Sequence, residues 1–245
     1  MRNVKVVVQY DGTDCFGFQY QPRVPTIQGE LERVLSKIVK ERVTVYGSGR
    51  TDAGVHAVGQ VINFRTEGTI PVERLCIAMN SLLPASIAAV AAEEVEEDFH
   101  ARYSARRRFY SYDVLQSSYR NAMLGRFTWH IRRPLDVEAM NEAAAYLVGV
   151  HDFSSFSCAD REEGGSAIRD VSELGVARRG EHVIIEVKAN AFLRSMVRVI
   201  VGTLVEVGLT ERSASEVLDI LEARDRRRAG KTAPARGLCL MEVEY

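Results

Sequence analysis

The sequence predicts an α+β protein whose two halves follow one plan. Three observations carry this. A β-branched run opens the chain at residues 4–10, and a second strand pattern opens at residues 109–115. After each, helical spacing and strand alternation succeed one another as strand, helix, strands, helix, strand. Between them, residues 99–108 shift in composition and end in Arg106-Arg107-Arg108, which places the boundary between halves 1–105 and 106–245. The two halves share little obvious sequence, so an internal duplication is only weakly indicated.

Residues 4–10 are β-branched, read as a buried strand and turn at Asp11-Gly12. Thr26 stands as N-cap before a helical stripe of Ile27, Leu31, Val34, Leu35 and Ile38. A short apolar run at 43–46, a glycine-rich loop and a strand at 58–64 follow. Pro71 is expected at the first helical position of a helix reaching Asn80. Residues 86–95 read as a strand running into the acidic stretch 93–98, a solvated face that would repel phosphate.

In the second half the alternation puts Tyr110 and Tyr112 on one face. A helix follows Pro134. Residues 158–168 read as a mobile loop, 171–177 and 183–189 as a hairpin around Arg178-Arg179-Gly180, 191–207 as a helix and 213–223 as another. A basic run at 224–231 precedes a closing strand at 238–243.

The chain has 245 residues, 46% of them hydrophobic, enough for a large core. Net charge is -1, yet residues 1–100 carry 10 Lys and Arg against 13 acids, and the rest 22 against 20. The cations are 27 Arg and only 5 Lys. Arginine suits bidentate phosphate contacts and stacking on bases, although a GC-rich genome would give the same bias. Cys15, Cys76, Cys158 and Cys239 are scattered, in neither metal-ligand nor disulfide spacing. The strand pattern begins at the N-terminus without a signal peptide, and the apolar stretch 197–207 is too short to span a bilayer. A soluble protein of a reducing cytoplasm is expected, with neither metal nor cofactor.

The stretch GSGRTDAGVHA, residues 47–57, concentrates the chemistry. Three glycines offer positive-φ freedom and close approach, and a loop between two strands is where a scaffold presents catalytic groups. A tight turn capped by Asp52 is the plain alternative, but a turn has no need of Arg50, Thr51 and His56 as well. His56 reads more simply as an orienting residue. Arg194 and Arg198 are four apart on a helix that is otherwise apolar. An arginine there needs a partner, and Asp52 is the most attractive one; beside it the carboxylate would stay ionised, as a nucleophile or electrostatic stabiliser requires. A solvated Arg198 at the helix edge is the alternative. Tyr110, after three arginines, reads as a core aromatic or as a ring presented to a base.

The string at 47–57 closely resembles the catalytic loop of the tRNA pseudouridine synthase A family. Tyr10-Asp11-Gly12-Thr13, Phe16-Gly17-Phe18-Gln19, Thr26-Ile27-Gln28-Gly29-Glu30, Phe99-His100-Ala101-Arg102, Asp152-Phe153-Ser154-Ser155-Phe156 and residues 189–202 resemble it too, in order along the chain. Phe109 and Ser111 stand where that family often has basic residues, and 158–168 departs from it. The resemblance implies two α+β halves joined into one extended, mostly antiparallel sheet with flanking helices and an active-site cleft between the halves. It implies a homodimer that isomerises uridines 38, 39 and 40 in the anticodon stem-loop of tRNA. It gives Asp52 as the essential aspartate, Arg198 as its basic partner, Tyr110 as the residue contacting the target base, and Arg50 as an arginine holding the flipped nucleotide. The chemistry agrees, since moving a glycosidic bond from nitrogen to carbon needs neither redox change nor phosphoryl transfer. The stacked target must be extruded first. Arg-rich segments 106–108, 132–133 and 224–228 would neutralise phosphates. Two rival readings are a phosphate-ester hydrolase using the glycine loop as an anion nest, which lacks P-loop and dinucleotide signatures, and a non-catalytic RNA-binding module with Asp52 as a cap.

Overall fold

Contacts divide the chain into two units, Met1–Arg106 with Cys239–Tyr245, and Arg107–Leu238. The structure, a computed structural model, describes residues 1–158 and 166–245. The central part of the loop expected at 158–168 lies outside the described residues. Among the described residues the class is α+β as predicted, with ten strands and five α-helices.

The first unit is built on β1 (Arg2–Tyr10), flanked antiparallel by β3 (His56–Thr66) and β4 (Ile87–Val95). The two-residue β2 (Tyr46–Gly47) adds to β3 antiparallel, and β10 (Leu238–Glu244) adds to β3 in parallel. Val4, Val6 and Val8 are fully buried, as their alternation requires. Helix α1 (Ile27–Val39) buries Ile27, Leu31, Val34 and Leu35. The Thr26 hydroxyl accepts from Gly29 N, a cap contributing about 1 kcal/mol. Helix α2 (Val72–Asn80) buries Leu75 and Met79; Pro71 is its N-cap and not its first helical residue.

The second unit carries the antiparallel ladder of β5 (Arg107–Gln116), β9 (His182–Ala189), β8 (Ile168–Arg179) and β7 (Gly149–Asp152). The β8–β9 hairpin turns where expected, at Gly180 with φ 64. Two short strands have no legible alternation: β7, and β6 (Trp129–Ile131), which pairs in parallel with β5. Helix α3 (Val137–Ala145) is capped by Asp136, whose carboxylate accepts from Ala139 N. Helix α4 (Met196–Gly208) packs on α3 and is buried almost all round, as an apolar sequence without a polar stripe demands. Helix α5 (Glu216–Ala223) starts later than the expected 213; the Ser213 N–H and hydroxyl donate to the Glu216 carboxylate just ahead of it.

One expectation is corrected. The helix read as 191–207 begins only at Met196, because Ser195 lies in the left-handed region at φ 57. Upstream, the Asn190 side chain accepts from Ala191 N and Asp170 N, turning the chain sharply off β9. Arg194 therefore sits before the helix and shares no helical face with Arg198.

Candidate active site

Asp52 stands in the loop that leaves β2 at Gly47 and rejoins the sheet at His56. Three backbone bonds shape it: Ser48 N to Val61 O at 2.8 Å, Phe18 N to Thr51 O at 3.0 Å, and Val55 N to Asp52 O at 3.1 Å. The last closes a turn in which Gly54 has φ 78, so a glycine is needed there. Gly47 serves differently. A Cβ on it would lie 2.5 Å from the Phe18 ring. Of the motif's three glycines, then, Gly54 takes the positive φ expected of them and Gly47 allows close packing.

Thr51 is buried, its hydroxyl 2.9 Å from that of Tyr10, while Arg50 is exposed and Asp52 half-buried. The loop thus turns one residue inward and presents its two flanking charged residues outward. His56 is buried against the turn that follows β1. Its Nδ1 accepts from Gly12 N at 3.1 Å and lies 3.2 Å from an Asp11 oxygen that receives the Thr13 N–H and hydroxyl.

In the second unit Tyr110 lies on β5 opposite Val187, 7% exposed, its ring edge-on to Phe192 at 5.2 Å. Tyr112 is on the same face and wholly buried, donating to Pro234 O at 2.8 Å; burial pushes its phenol well above the ordinary range. Arg198, in the first turn of α4, is half-buried. Its Nε donates to Ala233 O at 2.8 Å and its carbonyl accepts from Ala233 N at 3.0 Å. This double link fixes the helix start against the irregular segment around Ala233, satisfying part of a guanidinium that apolar surroundings would penalise.

A family described as tRNA pseudouridine synthase matches residues 6–104 and 143–245. The chain belongs to that family. A protein of Halalkalibacterium halodurans is 50% identical over 239 residues, covering 97% of this chain and 90% of its own. One of Moorella thermoacetica is 48% identical over 244 residues, 99% of each chain, and one of Thermoanaerobacter sp. (strain X514) is 46% identical over 245, 100% of each. All three carry the name tRNA pseudouridine synthase A. A chain of a Cbf5-Nop10-Gar1 crystal structure aligns at 14% identity with a TM-score of 0.37, covering 97% of this chain and 48% of that one. The synthase is an isomerase acting on tRNA, converting uridine to pseudouridine. Both rival readings, hydrolase and inert RNA-binding module, are set aside by this membership.

The synthase's arginine runs are less idle than they read. Arg107 pairs with Asp170 at 3.2 Å, Arg108 donates to Asn190 O at 2.6 Å, Arg133 pairs with Glu211, Arg224 with Asp152 at 3.3 Å and Arg227 with Asp225 at 2.8 Å. A phosphate arriving at any of these would share the cation with a group of the protein. Among the described residues no group of three or more His, Cys, Asp or Glu could hold a metal ion, and no helix is long and apolar enough to cross a membrane.

Two features escaped sequence reasoning. Beneath the loop lies a buried polar set of Tyr10, Ser48 and Gln60. Its signal was a lone glutamine inside an apolar strand. Beside the loop, Tyr46, His100 and the 76%-exposed Tyr103 pack in series as tilted rings, with centroids 5.0 and 4.5 Å apart. Asn63 supports that turn by accepting from Ala101 N at 2.9 Å, and Asn3 by donating to Phe99 O at 2.8 Å.

Proposed function

We propose that this synthase acts on uridines 38, 39 and 40 of the tRNA anticodon stem-loop, with Asp52 as the essential carboxylate, nucleophile or base, on a flipped-out uridine. Arg198 is the basic residue that acts with this carboxylate. Tyr110 contacts the target base and Arg50 holds the flipped nucleotide. The half 1–105 carries the catalytic loop, and the half 106–245 carries the base-contacting tyrosine and the contacts of a homodimer. The enzyme works in the cytoplasm without metal or cofactor.

The observation that supports this reading is the loop itself. Asp52 is a half-buried carboxylate beside a threonine anchored in the core, a combination that keeps an acid both accessible and oriented. The reaction breaks the bond from ribose C1′ to N1, rotates the uracil, and joins C1′ to C5. N1 gains a proton and C5 loses one, so atoms and charge balance without a co-reactant. A carboxylate can carry the sugar or base through the detached stage, or take a ribose proton on a glycal route. Extrusion of the uridine costs a few kcal/mol, which stacking and arginine contacts would offset. The test is to map product on tRNA transcripts that keep uridine only at 38–40 or only outside the anticodon arm. Product confined to the first set supports the assignment; equal product on both sets contradicts it.

A further inference from the structure

We propose that Gln60 is the positioning residue of the catalytic loop, setting the backbone from which Arg50 and Asp52 project. The proposal rests on the assignment of Asp52 above. Gln60 lies on β3 with no exposed surface. Its Oε1 accepts the Ser48 hydroxyl at 2.6 Å. Its Nε2 donates to Gly49 O at 3.0 Å and to the Tyr10 hydroxyl oxygen at 3.2 Å.

The chemistry of these groups fixes the direction of the three bonds to the glutamine amide. Gly49 O can only accept, so the amide nitrogen must face it. The amide oxygen is then left for Ser48. Because Tyr10 accepts from the amide, its own proton is available to the Thr51 hydroxyl 2.9 Å away. One planar group therefore reaches Ser48 and Gly49 on one side of Arg50, and through Tyr10 it reaches Thr51 on the other.

The sheet itself does not ask for a glutamine here. Position 60 pairs with Val8 through the backbone, and a Leu or Met would fill the same buried place without desolvating an amide. What only an amide supplies is two donors and one acceptor on a rigid plane, matched to one carbonyl and two hydroxyls of the loop and its support. The register also shifts between Val8 and Tyr10, beside this contact. A fully satisfied buried network of this kind specifies one arrangement, and a displaced reacting group is costly, with about 1 Å of misplacement worth roughly 10²-fold in rate.

The test measures kcat and KM for tRNA in the wild type and in Gln60→Leu, Gln60→Glu, Tyr10→Phe, Ser48→Ala and Asp52→Ala, with thermal unfolding as the folding control. Gln60→Leu should lower kcat by about 10²-fold with KM little changed. Gln60→Glu adds a readout that a role confined to stability would not move. Its carboxylate cannot donate to Gly49 O, whereas its protonated form can, so its kcat relative to wild type should rise as pH falls. A folded Gln60→Leu with kcat within about twofold of wild type, or a loss confined to KM, would overturn the proposal. If Gln60→Leu does not fold, Tyr10→Phe and Ser48→Ala, which each remove one hydroxyl, decide by the same criterion. Turnover by Asp52→Ala would sink the underlying assignment instead. An inactive Asp52→Ala beside an unimpaired Gln60→Leu would sink this proposal alone.

Discussion

The loop at 47–56 and the segment at 190–198 each present a charged residue, and they are held in opposite ways. The first is fastened by backbone bonds to Phe18 and Val61 and, distinctively, by side-chain hydrogen bonds from Tyr10 and Gln60. The second is fastened chiefly by packing: α4 is apolar and buried from Met196 onward, and Arg198 is tied to Ala233 by its side-chain Nε and by its own carbonyl. A carboxylate needs a polar, partly open setting, which a loop provides. An arginine on a helix gets its fixed direction from the helix and its solvation from a carbonyl. Polar substitutions should therefore act on rate in the loop, and size substitutions on stability in the helix.

The largest effect is expected at Asp52. Asp52→Ala should lower turnover by on the order of 10⁴-fold or more, while tRNA affinity in filter binding stays close to wild type. Tyr110→Phe should come next, with turnover reduced by about 10²-fold and binding preserved; unaltered turnover would leave its hydroxyl without a chemical role.

On the packing side, a Cβ on Gly202 would lie 1.7 Å from Lys231 O. The obstacle is backbone, so Gly202→Ala must push aside the segment that holds Arg198. We expect a loss of about 1–3 kcal/mol in denaturant unfolding, with tRNA affinity and turnover falling together. An equal loss of stability from Asp52→Ala would erase the distinction between the two regions.

The smallest effect is at Glu41, whose carboxyl is held below the usual range by the Thr66 hydroxyl and by Glu67 N–H. A depressed carboxylate adds stability above its unfolded pKa and loses it as pH falls through the folded value. Thr66→Val should therefore lower the melting temperature at neutral pH, and the difference from wild type should narrow below about pH 4. A constant difference would mean that packing around Thr66, and not the bond to Glu41, is responsible.

Much of this was legible in the chain. The β-branched run foretold β1, period-2 alternation put Tyr110 and Tyr112 on one face, and Thr26 foretold the start of α1, because these depend on neighbours in sequence. The density of Gly, Arg, Asp and His at 47–57 marked the loop for the same reason. The start of α4 was not legible, since a left-handed Ser195 leaves no compositional trace. Nor was the work of Gln60, whose partners lie 11 to 50 residues away. The arginine runs looked uncommitted because most of their partners, such as Asp170 for Arg107 and Asp152 for Arg224, are distant along the chain.

The central claim is that Asp52 carries the chemistry of uridine isomerisation. The most direct test is tritium release from tRNA labelled at C5 of uracil, with chelator present, comparing wild type and Asp52→Asn at equal tRNA saturation. Release by wild type and none by Asp52→Asn, with both binding tRNA, is the predicted result. Comparable release from both proteins would contradict the claim and move the chemistry to another residue.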